Sequence, residues 1–464
     1  MVQLLRSDRT DLQVLLGEPK AAVRSMFLPF LVAFAVVEAN QFIDAFWISG
    51  LGRSSAEAMS TVVPFYVLLM CSGVGLSVGA TTTIAFRLGR GEKGEAGRLV
   101  SNAMVLGLIL SAVTMALMLL LFDKAIDLLG AGDIRRECWE YFLPEILLAA
   151  PMILLSIVGG ALRGEGAARK STVIQMSAAM FNMILDPILI YALGLDIFGA
   201  GLATGLSATI SLTIGLSWYV RRSTEVSMEM RGFRPDISMM KEVLNVGGPK
   251  TVNEAIAGVM MFIQRIFFIV AGGTAAVMLY NYPWRFISLF MLPGKAFESS
   301  MVPVGSAAYG QNDTAKMWNA YIYSVKLTIL VSVAAVIIIF IFAQPLMSIL
   351  TYEASMHEML SKLTWVLQVS VFLLPFMAVR GVSASLLQSM KKAKIPMYFD
   401  LFWGSVRMVV YALSAYGFLG IDPFDGIIYS MVVMYSLSGI IVTALAVWQF
   451  KKISRANPAR VSLL

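Results

Sequence analysis

Apolar segments about 20 to 30 residues long recur twelve times in this chain, at 21–49, 58–86, 99–121, 137–162, 171–194, 199–220, 241–270, 276–308, 318–343, 360–388, 394–418 and 424–450. A helix rising about 1.5 Å per residue needs roughly 20 apolar residues to cross a hydrocarbon core about 30 Å thick. Lipid offers the backbone no hydrogen-bond partner, so such segments must satisfy themselves as helices. Outer-membrane barrel strands are shorter, at about ten residues, and alternate in polarity. With 58% hydrophobic and 14% charged residues and a mean hydropathy of +0.77, the chain is too apolar for a soluble globular domain, where the apolar share is nearer 45 to 50%. The expected fold class is an all-α polytopic membrane protein. The first apolar stretch lacks a following signal-peptide cleavage pattern and is expected to be retained as a helix.

Lys and Arg in the connections set the orientation. One side carries Arg6, Arg9, Lys20 and Arg24, then Arg87, Arg90, Lys93 and Arg98, then Arg163, Arg169 and Lys170. Arg221, Arg222, Arg231, Arg234 and Lys241 join that side, then Lys316, Lys391, Lys392 and Lys394, and last Lys451, Lys452, Arg455 and Arg460, while the other offers only Arg53, Lys124, Arg135 and Arg136. Both termini are therefore expected in the cytoplasm, and the net charge of +7 reflects loops facing anionic lipid rather than a nucleic-acid partner. Cys71 and Cys138 have no CxxC or Cys/His spacing, so neither a disulfide nor a metal centre is indicated. The single histidine, His357, falls in an outer loop, so carboxylates must carry any proton handled within the membrane.

The chain repeats itself. "RLGRGEKGEAGR" (87–98) after span two has a counterpart in "AYGQNDTAKMW" (308–318) after span eight, and "LRGEGAARKSTV" (162–173) one in "LQSMKKAKIPM" (387–397). Two six-helix lobes follow: 1–220, spans one to six, and 241–464, spans seven to twelve, joined by a cytoplasmic linker at 221–240. An even number of spans returns the chain to its starting side, so the lobes are expected to be parallel repeats related by a pseudo-two-fold along the membrane normal, as in alternating-access transporters.

Charges inside spans cost several kcal/mol unless paired, hydrated or neutralised. The first half supplies the acids Glu38, Asp44 and Asp186, and the second the bases Arg265, Arg285, Lys295, Arg380 and Arg407 beside Glu254, Glu298 and Asp400. Acids and bases of the second half can pair, as Lys295 with Glu298 one turn away. The first-half carboxylates have no such base and must be protonated or meet a cation. Counting at about 1.5 Å per residue, Asp44 lies about 9 Å and Asp186 about 10 to 12 Å below their outer helix ends, with Thr204 at about 8 Å. Asn40 and Asn182 each precede an aspartate by four residues and share its helix face. These hard oxygen ligands suit Na⁺, and two close carboxylates equally suit a proton. Pro187 directly follows Asp186, and Pro29 precedes Asp44 by 15 residues; each removes a backbone hydrogen bond and marks a candidate hinge. Phe42, Phe46, Trp47 and Tyr66 suit packing or anchoring at the lipid interface first, and an aromatic face offered to an organic cation second.

Three stretches carry a resemblance: "FLPFLVAFAVVEANQFIDAFWISGLG" in span one, "GVGLSVGATTTIAFRLGRGEKGEA" from span two, and "ALRGEGAARKSTVIQMSAAMFNMILDPILIYALGLDIFGAGLATGLS" through spans five and six. The chain resembles the multidrug and toxin extrusion (MATE) family, in its archaeal and bacterial branch with essential acids in the first lobe. The resemblance implies an antiporter that takes up Na⁺ or H⁺ and expels amphiphilic, mostly cationic organic compounds, with no cofactor beyond the coupling ion. On the same ground Asp44 and Asp186 are coupling carboxylates, and Asn182 and Thr204 complete a cation site able to hold Na⁺. Pro29 matches a proline about which span one bends, Arg285 matches an arginine of some branch members, and Glu254 an acid of another branch. That other branch also places an aspartate in span ten, where this chain has no acid between Leu360 and Gln388. The expected setting is the cell membrane, with lipids around a monomer. A lipid-linked precursor flippase, which would use the second-half arginines to hold pyrophosphate, is the alternative. No HExxH, GxSxG, GxGxxG or P-loop pattern opens a plausible helix, so enzymatic activity is not expected.

Overall fold

The computed structural model describes residues 11–128, 132–228, 233–350 and 358–456. Arg6, Arg9, Arg231, His357 and Arg460 lie outside these ranges. A short helix α1 (Asp11–Leu16) precedes α2 (Pro19–Ser49), α3 (Arg53–Gly89) and α4 (Lys93–Leu128). The fourth pass is a bent pair, α5 (Arg135–Leu147) and α6 (Ala149–Gly164), at 53° to each other. Then come α7 (Ala168–Pro187), continued by one π-helical segment Ile188–Ala192, and α8 (Asp196–Val220). Helix α9 (Ile237–Phe290) breaks at Gly272 and Gly273, where Gly273 has φ 68°, a left-handed conformation that favours glycine. The sequence thus places the turn between spans seven and eight at a Gly-Gly pair.

The remaining elements are α10 (Leu292–Gly310), α11 (Thr314–Leu350), α12 (Leu360–Ser370), α13 (Leu374–Ser389), α14 (Lys394–Ala415) and α15 (Pro423–Ala456). The described residues make the expected twelve passes and contain no strand. Nine described helices are long and apolar enough to cross a membrane, and the bent α5–α6 pair makes a tenth. The other two passes hold Arg285, Lys295 and Glu298 in one case and Asp400 and Arg407 in the other. Large apolar side chains stay exposed along α4, among them Leu108, Ile109, Val113, Leu120 and Leu121, as lipid-facing positions require.

Two compact units divide the chain, Met1–Gly258 with Val302–Asp313, and Val259–Met301 with Thr314–Leu464. In the first, α3 meets the start of α9 through glycines: a Cβ on Gly75 or Gly79 would stand 2.6 Å from the carbonyl oxygen of Gly247 or Val243 respectively. Small residues let two backbones approach this closely in a membrane, where there is no hydrophobic drive between helices. The second unit packs around Phe268, Ile287, Ile339, Leu363, Val371, Tyr411 and Ile427.

The RGEG turn between α6 and α7 is a built junction. Gly166 takes φ 85°, and a Cβ there would meet the Asp11 carbonyl of α1 at 2.8 Å. Beside it Glu165, fully buried, accepts hydrogen bonds from the Tyr219 hydroxyl (2.5 Å) and from the backbone N–H groups of Glu225 (2.9 Å) and Val226 (3.3 Å). Burial pushes its carboxyl up to about 7 against these donors and the nearby Lys170.

Candidate functional site

Spacing and helix geometry bring four of the expected residues together. The i,i+4 offset stacks Asn40 below Asp44 on α2 and Asn182 below Asp186 on α7. The Asn40 side-chain nitrogen donates to the Asp44 Oδ2 (3.0 Å) and across the helices to the Asn182 Oδ1 (2.8 Å), while Asn182 donates to the Asp186 Oδ1 (3.2 Å). The bonds meet at Asn40 and Asn182, which brings the Asp44 and Asp186 carboxyls level on the two helices. Asn182 is 3% and Asp186 2% exposed, and Asp44 is half-buried.

The donors run out before the acceptors do. Asn40 Oδ1, Asp44 Oδ1 and Asp186 Oδ2 are buried without a hydrogen-bond partner. Three unsatisfied acceptor oxygens gather on and beside two carboxyl groups, and buried acceptors left alone cost about 1–3 kcal/mol each, so the arrangement suits a proton or a cation. Aromatic residues cover the C-terminal end of α2 next to them. The Tyr191 hydroxyl donates to the Trp47 carbonyl (2.6 Å), the two rings stand edge to face at 6.0 Å, and Phe46 packs on Trp47 at 5.3 Å. Ile48, Ile190 and Ala200 fill the space beneath, with Tyr141 against them.

Other expected residues fall elsewhere. Thr204 is half-buried on α8, and its hydroxyl donates to the Ala200 carbonyl (3.3 Å) rather than to either carboxyl. Pro187 ends the regular α-helix directly after Asp186; the chain goes on in π geometry, with the Leu193 N–H reaching the Ile188 carbonyl at 2.9 Å. Pro29 sits inside α2, which continues unbroken past it. Glu254 pairs with Lys250 one turn back at 2.7 Å, and Arg285 is exposed. Phe42 and Phe46 are exposed as well.

The expected Lys295–Glu298 pair does not form. Lys295 is exposed, and the Glu298 carboxyl packs against Gly381 of α13, whose missing side chain leaves it room. Ion pairs of the second unit instead join Arg380 to Asp400, with Arg380 also donating to Ser438 (3.0 Å), and Lys362 to Asp425 at 2.5 Å. Arg407 lies over the Tyr435 ring at 4.6 Å.

One acid escaped the sequence reading. Glu145, on α5 within span four, is 1% exposed with its Oε2 unpartnered. Its signal was a carboxylate beside a proline, Pro144, as Asp186 stands beside Pro187.

Twelve passes in two compact units, with a paired carboxylate buried between two helices, define a polytopic membrane transporter. The sequence pattern of the MatE family matches residues 29–188 and 249–413. The chain belongs to that family, the multidrug and toxin extrusion transporters, which are not enzymes. It is 26% identical to the FAD transporter of Shewanella oneidensis over 351 residues, 73% of this chain and 75% of that one. It is 22% identical to the multidrug export protein MepA of Staphylococcus aureus over 424 residues, 90% and 91% of the two chains. Among solved structures, the outward-facing conformation of a multidrug resistance MATE family transporter superposes with a TM-score of 0.90 at 25% identity, covering 97% of this chain and all of that one. A MOP superfamily transporter from Pyrococcus furiosus gives 0.90 at 26% identity over the same shares.

Proposed function

We infer that this protein is a cation-coupled multidrug efflux antiporter, exporting amphiphilic, mostly cationic organic compounds across the cell membrane by alternating access. The observation that carries the reading is the Asn40–Asn182 bridge that sets Asp44 and Asp186 side by side, with their surplus of unpartnered oxygens. The export names of the MepA relatives support the cargo class.

In the proposed cycle a proton or Na⁺ enters the Asp44–Asp186 pair from outside. The pair loses its negative charge, and with it part of its attraction for an organic cation. Substrate leaves, and the neutralised site closes without desolvating a bare charge. Each ligand biases the two states only by its differential affinity for them. Asn40 and Asn182 hold the two carboxyls in register through the change.

The test is transport of ethidium in proteoliposomes under an imposed pH gradient and, separately, an imposed Na⁺ gradient. Asp44→Asn and Asp186→Asn are expected to abolish gradient-driven transport while remaining folded, and the gradient that drives the wild type identifies the ion. Undiminished transport in both variants would sink the site. A second reading, export of an anionic dinucleotide, is favoured by the 26% identity to an FAD transporter. Competition of FAD with ethidium in the same vesicles separates the two.

A further inference from the structure

The carboxyl of Glu145 has no part in the cycle above. Yet Glu145 is 1% exposed, deep in a helix pass, and its Oε2 has no partner. Burying a carboxyl in this way is costly unless its charge is met or removed. Packing places it near the first pair: Tyr141, one turn before Glu145, rests against Ile48 and Ile190, which stand one turn after Asp44 and Asp186 respectively.

The helix around Glu145 is also interrupted. Helix α5 ends at Leu147, two residues beyond Glu145, and the chain turns by 53° into α6. Helix ends within membranes leave carbonyl groups and the negative end of the helix dipole available to cations. An unpartnered buried carboxylate beside such an end is one half of an ion site found in broken-helix transporters.

We propose that Glu145 forms a second monovalent-cation position next to the Asp44–Asp186 pair, so that two cations enter for each monovalent organic cation exported. This rests on the antiport reading above. Two cations against one substrate cation move one net positive charge inward per cycle, whereas one against one moves none.

Charge movement on a solid-supported membrane, measured together with ethidium efflux under the driving gradient, tests this. Wild-type protein is expected to carry inward current, and Glu145→Gln to export ethidium under the same gradient with that current lost. An electroneutral wild type, or unchanged charge per ethidium in Glu145→Gln, overturns the proposal. Should Glu145→Gln not fold, Glu145→Asp replaces it. Its shorter carboxylate should raise the ion concentration for half-maximal current at least fivefold while preserving the charge per ethidium, and an unchanged requirement overturns the proposal. Asp44→Asn keeps the two readings apart: gradient-driven ethidium export surviving in that variant counts against the first pair, whatever Glu145 does.

Discussion

Asn40 and Asn182 stand 142 positions apart in sequence and are joined by a 2.8 Å hydrogen bond inside the membrane. The same Asn40 nitrogen serves Asp44, so one amide fixes the spacing between the helices that carry the two acids. Asn40→Ala removes that donor from two acceptors, a loss of about 1–3 kcal/mol. We expect the concentration of driving ion for half-maximal transport to rise roughly tenfold, since about 1.4 kcal/mol corresponds to that factor. Maximal rate at saturating ion should change much less. A rate that falls with no change in ion requirement would contradict this role.

Glu165 makes stability depend on pH. Its carboxyl lies at about 7 in the folded protein against an ordinary 4.5, so the folded state holds the proton more tightly than the unfolded one. Its contribution is greatest below about 4.5, declines as the pH rises through about 7, and is flat above that. Glu165→Gln does not ionise and should lack this decline. Thermal unfolding in detergent between pH 5 and 8 should therefore show the wild type losing more stability than the variant as the pH increases. Parallel curves would show that the clamp on Tyr219 and the linker is already ionised throughout.

The glycine crossing of α3 and α9 predicts a position effect. Gly75→Ala places a methyl 2.6 Å from the Gly247 carbonyl oxygen and should lower stability by about 2–3 kcal/mol, within the usual range for overpacking. Gly258→Ala serves as the control: its nearest neighbour is Val67 Cγ1 at 3.4 Å, an ordinary contact, and no comparable loss is expected. Equal melting temperatures in the two variants would remove the close crossing as a stabilising feature.

What was legible in the sequence followed from periodicity. Apolar length gave the twelve passes, with overruns of up to about two turns at ends such as α11, expected at 318–343 and formed from Thr314 to Leu350. The i,i+4 rule put Asn40 with Asp44 and Asn182 with Asp186, and equal depth brought the pairs level. Rotamers were beyond its reach. Thr204 lies at a suitable depth, but its hydroxyl satisfies itself on the Ala200 carbonyl, a choice that spacing does not encode. Lys295 and Glu298 failed to pair because a glycine on another helix, Gly381, receives the carboxyl. Glu145 was overlooked because its neighbours, "CWEYFLPEI", mix polar and apolar residues, so the charge did not stand out against its background.

The Tyr191 hydroxyl on the Trp47 carbonyl has a mechanical consequence. It fastens the C-terminal end of α2 to the segment just past Pro187, 18 residues from Pro29, which takes one backbone hydrogen bond out of the same helix. Were α2 to bend at that proline, the residues before it would swing, while Asp44, three positions from the fastened Trp47, would stay with Tyr191.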